Sequence, residues 1–211
     1  MGADLVLRAC CRTAVECGRR VGFVESESNP NSIATEGAPV LVRDVAPLVT
    51  PPVAAHEASH AVVGLLLGAD VAFARIGVSA SAGFGFREDA PRHHRVAAYL
   101  AGPVAENWSA RWTVRQSDED LRWYRDRIRD ADMGNCDHCR AMFWTIAENT
   151  RRDEAETFAR YREIEAHTIA IIQRPNVWRS IKSVANALIE HGEIDGERIK
   201  ALVNCESINI S

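Results

Sequence analysis

Lysine is nearly missing from this chain: all of its 25 basic residues except Lys182 and Lys200 are arginine, and 29 acidic residues outnumber them. The formal net charge of −4 lacks the basic excess that nucleic-acid binding normally shows, so no nucleic-acid partner is expected. No run of 18 charge-free apolar residues occurs, so no helical membrane span is expected either. The first 24 residues carry Asp4, Arg8, Arg12, Glu16, Arg19 and Arg20 without an uncharged apolar stretch. That pattern is not a secretory leader, and the expected address is the cytoplasm. The six cysteines are therefore expected as thiols rather than disulfides. A phosphate loop of the G-x-x-x-x-G-K-[ST] type is also missing, which excludes a nucleotide-driven motor of that kind within these 211 residues.

What is present is an ordinary globular composition, 46% hydrophobic and 26% charged, enough for one domain with a sizeable core. Its centre is the stretch 51–68, Pro-Pro-Val-Ala-Ala-His-Glu-Ala-Ser-His-Ala-Val-Val-Gly-Leu-Leu-Leu-Gly. Thr50 can cap a helix there, Pro51 suits its first position, and Gly68 can supply a left-handed end. Nearly every side chain between them is apolar, which describes a helix enclosed on most sides. Into it the chain places His56, Glu57 and His60. A buried, unpartnered carboxylate costs several kcal/mol, so the cluster needs a purpose. His56 and His60, four apart, share one face and can ligate one metal ion, here expected to be zinc. Glu57 lies one step round the helix. There it can act as general base, taking a proton from water whose pKa the ion lowers toward ~7, before attack on a peptide carbonyl.

The remainder reads as mainly α with one small β-hairpin or sheet beside the metal helix. Residues 3–24 form a loose helical pattern, 26–37 a linker, and Val40, Leu41 and Val42 a short strand. Residues 70–79 and 84–86 read as two strands joined by a turn, either a packing hairpin or an edge that holds extended substrate. Pro91 opens a helix that Gly102 and Pro103 interrupt, after which 104–112 continues with Ala105, Trp108 and Trp112 on one side. Glu106 in that segment is expected in a salt bridge rather than supporting a metal ligand. His93 and His94 are expected in solvent. Ser117 followed by Asp118, Glu119 and Asp120 starts a surface helix to about 132, anchored by Trp123 and Ile128. From about Cys136 a helical region begins with Met142, Phe143, Ile146 and Ala147 buried. It continues through 151–173 with Phe158, Tyr161, Ile164 and Ile171 inward and Thr168 weakening the stripe. Arg174 and Pro175 end it; helices over 177–189 and around 197–203 follow. The domain division is an appendage or linker at 1–47, a catalytic-type domain at 48–204 and a tail at 205–211.

A catalytic zinc takes three protein ligands and leaves a position for water. Downstream candidates for the third are Glu106, Asp132, Asp137, His138 and the pair Cys136 and Cys139. Among them Asp137 stands at a helix start after Gly134 and Asn135, where a loop can aim a carboxylate at another helix. His56-Glu57-Ala58-Ser59-His60-Ala61-Val62-Val63 resembles the H-E-A-G-H-A signature of FtsH-type zinc metalloproteases. Leu100 to Glu106 is similar to the L-x-G-R-x-A-E segment of that family, and Gly134 to Ala141 to its S-N-D-L-x-R-A segment. Residues 188–197 resemble its closing L-L-E pattern. The resemblance implies a helical zinc-peptidase domain with His56, His60 and Asp137 as ligands and Glu57 as base. Ser59 stands where the family has glycine, Pro103 where it has arginine, and Cys136 and Cys139 flank the expected ligand.

The implied function is a zinc metalloendopeptidase that, lacking a motor, cleaves unfolded or flexible protein segments. A separate unfoldase or a homo-oligomer is the partner class that the family suggests. Two alternatives stand beside this: a silent peptidase-like domain that binds zinc or a partner protein, and a cysteine-based zinc site built on Cys136 and Cys139 with His138.

Overall fold

The computed structural model describes residues 51–77, 80–109, 116–130, 136–149 and 153–203. The expected helix over 3–24, the strand at 40–42, the Thr50 cap, Trp112, Asp132 and the domain boundaries near 47 and 204 lie outside the described residues. Within them the fold is mainly helical with a small three-stranded antiparallel sheet. The order is α1 (Pro51–Leu66), β1 (Asp70–Arg75), β2 (Ser81–Gly85), α2 (Arg92–Ser109), α3 (Asp118–Arg129), α4 (Asp137–Glu148), α5 (Glu154–Ile172), α6 (Pro175–His191), β3 (Glu193–Asp195) and α7 (Gly196–Val203).

Helix α1 is the enclosed helix that its apolar sequence calls for, with Ala54, Ala55 and every residue from Glu57 to Gly64 buried. It ends as expected at Gly68, whose φ is 87°. The Ala69 amide donates to the Gly64 carbonyl at 2.8 Å and the Gly68 amide to that of Leu65 at 3.0 Å, satisfying carbonyls that the last turn would otherwise leave open. This tight end lets the chain reverse directly into β1.

Two apolar clusters form the core. The first gathers α1, the sheet, α6 and α7 around Val62, Val63, Val71, Ile181, Val184, Leu188, Ile194 and Ile199. The second joins α2 to α3, α4 and α5 through Val96, Leu100, Leu121, Tyr124, Met142, Phe158, Tyr161 and Ile164. Helix α2 belongs to both, giving Ala101 and Ala105 to the first and Val96, Ala97 and Leu100 to the second. It is the wall between them, and its backbone lies against α1.

Strand β1 is central, with β2 pairing from Asp70↔Gly85 to Arg75↔Ser81 and β3 from Phe73↔Asp195 to Arg75↔Glu193. The hairpin was legible but not its bounds, since β1 ends at Arg75 and Ser81 to Gly83, expected as turn, pair within β2. Strand β3 was not legible, because three residues, Glu-Ile-Asp, carry no periodic signal. Gly196 follows β3 so closely that a Cβ there would overlap the Val71 carbonyl oxygen.

Several sequence expectations need correction. Gly102 and Pro103 do not break the helix: α2 runs uninterrupted from Arg92 to Ser109. Pro103 removes the amide that would bond the Tyr99 carbonyl, but burial of Leu100, Ala101 and Ala105 on both sides of it holds the axis. Tertiary packing outweighs a local propensity. Trp108 is 45% exposed and Phe143 39%, so neither anchors its helix. In α4 the inward face is instead His138, Cys139, Ala141, Met142 and Thr145. Helix α3 is anchored foremost by Leu121, Tyr124 and Arg127, with Trp123 and Ile128 only partly buried against the second cluster. The region after Cys136 is two helices rather than one, separated at Asn149 and restarted by Asp153, whose side chain accepts from the Glu156 amide.

Other expectations hold. Ser117 caps α3 in a reciprocal box with Asp120. The stripe of Phe158, Tyr161, Ile164 and Ile171 is buried, and Thr168 fits within it by donating its hydroxyl to the Ile164 carbonyl at 2.8 Å.

Candidate metal centre

The four-residue spacing on α1 puts the imidazoles of His56 and His60 side by side, ring centroids 4.8 Å apart and edge to face. The start of α4 brings Asp137 to the same point from far along the chain, aimed by its place in the first turn after the Cys136 cap. Its Oδ2 lies 3.0 Å from His56 Nε2 and 3.3 Å from His60 Nε2. These three residues each offer a donor atom, all within 4.8 Å of one another, and could hold a metal ion.

The far side of each imidazole is fixed. His60 Nδ1 is 2.7 Å from the Ala98 carbonyl oxygen, which can only accept, so a proton sits on Nδ1 and Nε2 is the ring atom turned toward Asp137. His56 Nδ1 is held the same way, 3.0 Å from Glu106 Oε2. Metal-binding histidines are characteristically oriented by such an outer hydrogen bond. Both supports come from α2, one helical turn beyond Gly102 in the case of Glu106 and one turn before it in the case of Ala98. Between them Gly102 brings bare backbone against the rings, since a Cβ there would overlap His60 Nε2 and stand 2.6 Å from His56 Nε2. Ser59, fully buried, shares its hydroxyl proton between the carbonyls of His56 (2.8 Å) and Ala101 (2.9 Å), tying α1 to α2 beside the site.

The electrostatics follow from this packing. Burial opposes a charged imidazole at His56 and His60, yet Asp137 beside both rings, with Glu106 on His56, more than offsets it. Both pKa values are raised above 6.5, that of His56 well above. Burial likewise opposes an ionised Asp137, but the two imidazoles hold its carboxyl far below the ordinary carboxylate range. Glu57 is buried at 7% exposure and adds to the negative field that raises both histidines.

With both folded values raised, the imidazolium contacts stabilise the metal-free fold below the unfolded value near 6.5 and are lost as pH climbs through the folded values. A metal must displace those protons. Metal uptake is therefore expected to release protons, and affinity to rise with pH from the ordinary histidine value of 6.5 upward until the raised folded values are passed. Competition titrations at several pH values check this, and an affinity flat over that range would contradict it.

The structure thus joins His56, His60 and Asp137, keeps buried Glu57 within electrostatic reach of both histidines, and gives the other described candidates different places. His138 turns away, its Nδ1 2.6 Å from the Tyr161 hydroxyl and its ring stacked on Tyr124. Cys136 and Cys139 join no group of three metal-type ligands; among the described residues His56, His60 and Asp137 form the one such group. Glu106 corrects the sequence reading, since it supports His56 instead of forming an independent salt bridge. Its signal was its spacing, one helical turn beyond Gly102. His94 is corrected too, with Nδ1 3.0 Å from the Leu67 carbonyl. Truncating Glu106 to alanine is expected to cost ~10–100-fold in metal affinity. Glu106→Gln, which keeps an acceptor for His56 Nδ1–H, is expected to recover part of it in the same titration.

No helix among the described residues is long and apolar enough to cross a membrane. No family model matches the chain, and no curated protein matches it with significant similarity.

Proposed function

We propose that this protein is a zinc metalloendopeptidase with His56, His60 and Asp137 as ligands and Glu57 as general base. One observation carries the reading: two Nε2 atoms on α1 and one carboxylate oxygen on α4 converge while each Nδ1 is anchored from α2. The Nε2–Oδ2 separations of 3.0 and 3.3 Å, with all three donor atoms within 4.8 Å of one another, would let one ion be held among them. Two imidazoles and a carboxylate are also a catalytic rather than a closed structural ligand set. The motif resemblance to FtsH-type peptidases supports the same assignment.

Zinc, when bound, supplies Lewis acidity toward water and a substrate carbonyl. Glu57 then removes a proton from the attacking water with its carboxylate and returns it to the leaving amine. Glu106 and the Ala98 carbonyl keep both imidazoles oriented throughout. Phe84 of β2 stacks on the His60 ring at 6.0 Å between centroids, so the outer edge of the sheet runs beside the centre. An extended peptide adding to that edge would present its carbonyls there. Such a substrate must already be unfolded or flexible, or be delivered by a separate unfoldase, and the reading places the reaction in the cytoplasm.

The test is hydrolysis of a denatured protein by zinc-loaded chain. Cleavage that a chelator abolishes and zinc restores is expected; cleavage indifferent to the chelator, or none by the loaded chain, would overturn the proposal.

A further inference from the structure

Asp137 is flanked by two thiols. Cys136 is the N-cap residue of α4, with extended backbone at φ −74° and ψ 152°, and its Sγ accepts from the Cys139 amide at 3.4 Å. Cys136 is half-buried and Cys139 fully buried, and neither is in a disulfide. Because Cys136 stands outside the helix as its cap, its sulfur folds back over the first turn to 3.4 Å from the Cys139 amide nitrogen, two bonds from the Cys139 Cβ, so side-chain rotation can bring the two sulfurs together. A cysteine pair at a helix start, one sulfur reachable and the second sealed behind it, is the layout of a redox-active C-x-x-C.

We propose that Cys136 and Cys139 form a reversible disulfide whose closure weakens metal binding at His56, His60 and Asp137. This rests on the metal-binding reading above. With a low-molecular-weight disulfide such as oxidised glutathione as oxidant, the Cys136 sulfur attacks one sulfur of the oxidant and releases one glutathione thiol. The Cys139 sulfur then attacks Cys136 in the mixed disulfide and releases the second. Two protein thiols become one S–S bond, and their two protons and two electrons leave on the two reduced glutathiones.

The mechanical consequence follows from what holds the turn. Closure takes the Cys136 sulfur away from the Cys139 amide and imposes a dihedral near ~90° on the new bond. Of the two residues between the cysteines, His138 is pinned to the core by Tyr161 and Tyr124. The rearrangement therefore falls on Asp137, whose carboxylate must keep its place against two Nε2 atoms.

The experiment equilibrates the full chain in glutathione buffers of defined ratio, maps the disulfide by alkylation and peptide mass, and measures zinc affinity of each form by chelator competition. The expected result is a Cys136–Cys139 bridge and a zinc affinity at least ~10-fold weaker when oxidised, restored by dithiothreitol. Cys136→Ser, which can neither form the mixed disulfide at that position nor close the bridge, should bind zinc equally in both buffers. Equal affinity of the bridged and reduced forms, or oxidation that never joins these two residues, overturns the switch while leaving the metal site standing. A reduced chain that binds no zinc overturns both.

Discussion

Glu57→Gln is expected to keep its zinc and lose peptide hydrolysis by at least roughly 10²–10⁴-fold, the usual contribution of a positioned acid–base group. The substitution is nearly isosteric at a buried position. It replaces none of the three ligands and leaves the Nδ1 anchors on Glu106 and Ala98 in place. It removes a carboxylate able to accept a proton one helical step from His56. It also removes a negative charge that raises the pKa of both histidines, so it should ease their deprotonation rather than hinder metal uptake. Zinc content and rate on a denatured protein, measured on the same samples, separate these effects. Matched zinc with equal rates would remove Glu57 from the mechanism.

Gly102→Ala is expected to damage the centre more broadly than any single support. The added methyl would overlap His60 Nε2 and press on His56 Nε2. Two relaxations are open. The rings rotate, giving up the Ala98 and Glu106 contacts and the shared approach to Asp137, or α1 and α2 separate. The second opens the packing of Ala54, Ala58, Ala101 and Ala105 and breaks the Ser59 bridge. Overpacking a dense interior costs about 1–3 kcal/mol, and loss of both outer supports should lower metal affinity by more than the ~10–100-fold expected for one. Gly85→Ala, where no atom stands within 4 Å of an added Cβ, is the control. Thermal melts and chelator competition on both variants report the two costs. A Gly102→Ala chain with normal melting and normal affinity would show that α2 does not press on the imidazoles.

What the sequence made legible was local. An apolar helix with two histidines four apart dictates a buried pair on one face, and Gly68 dictates its end. The carboxylates after Ser117 dictate a helix start, and the Phe158–Tyr161–Ile164 stripe an inward face. Asp137 was legible as one candidate among several, singled out by its place at a helix start and by resemblance. The contacts across α1 and α2 were not legible. Gly102 reads as a breaker until a second helix lies against it, and its real constraint is the space that two imidazoles occupy. Glu106 reads as a salt-bridge acid until Gly102 fixes which face of α2 meets α1. Strand β3 exists because β1 offers it an edge, and Phe143 is exposed because α4 turns His138 and Cys139 inward. These are facts of juxtaposition, which no period within one segment encodes.

The central claim is that α1 and α4 together build a metal site. Metal content by mass spectrometry on purified wild type and on Asp137→Ala tests it most directly. Near-stoichiometric zinc in the wild type and its loss in Asp137→Ala is the predicted result. Zinc retained in full by Asp137→Ala, or a wild type that takes up none after reconstitution, would contradict it.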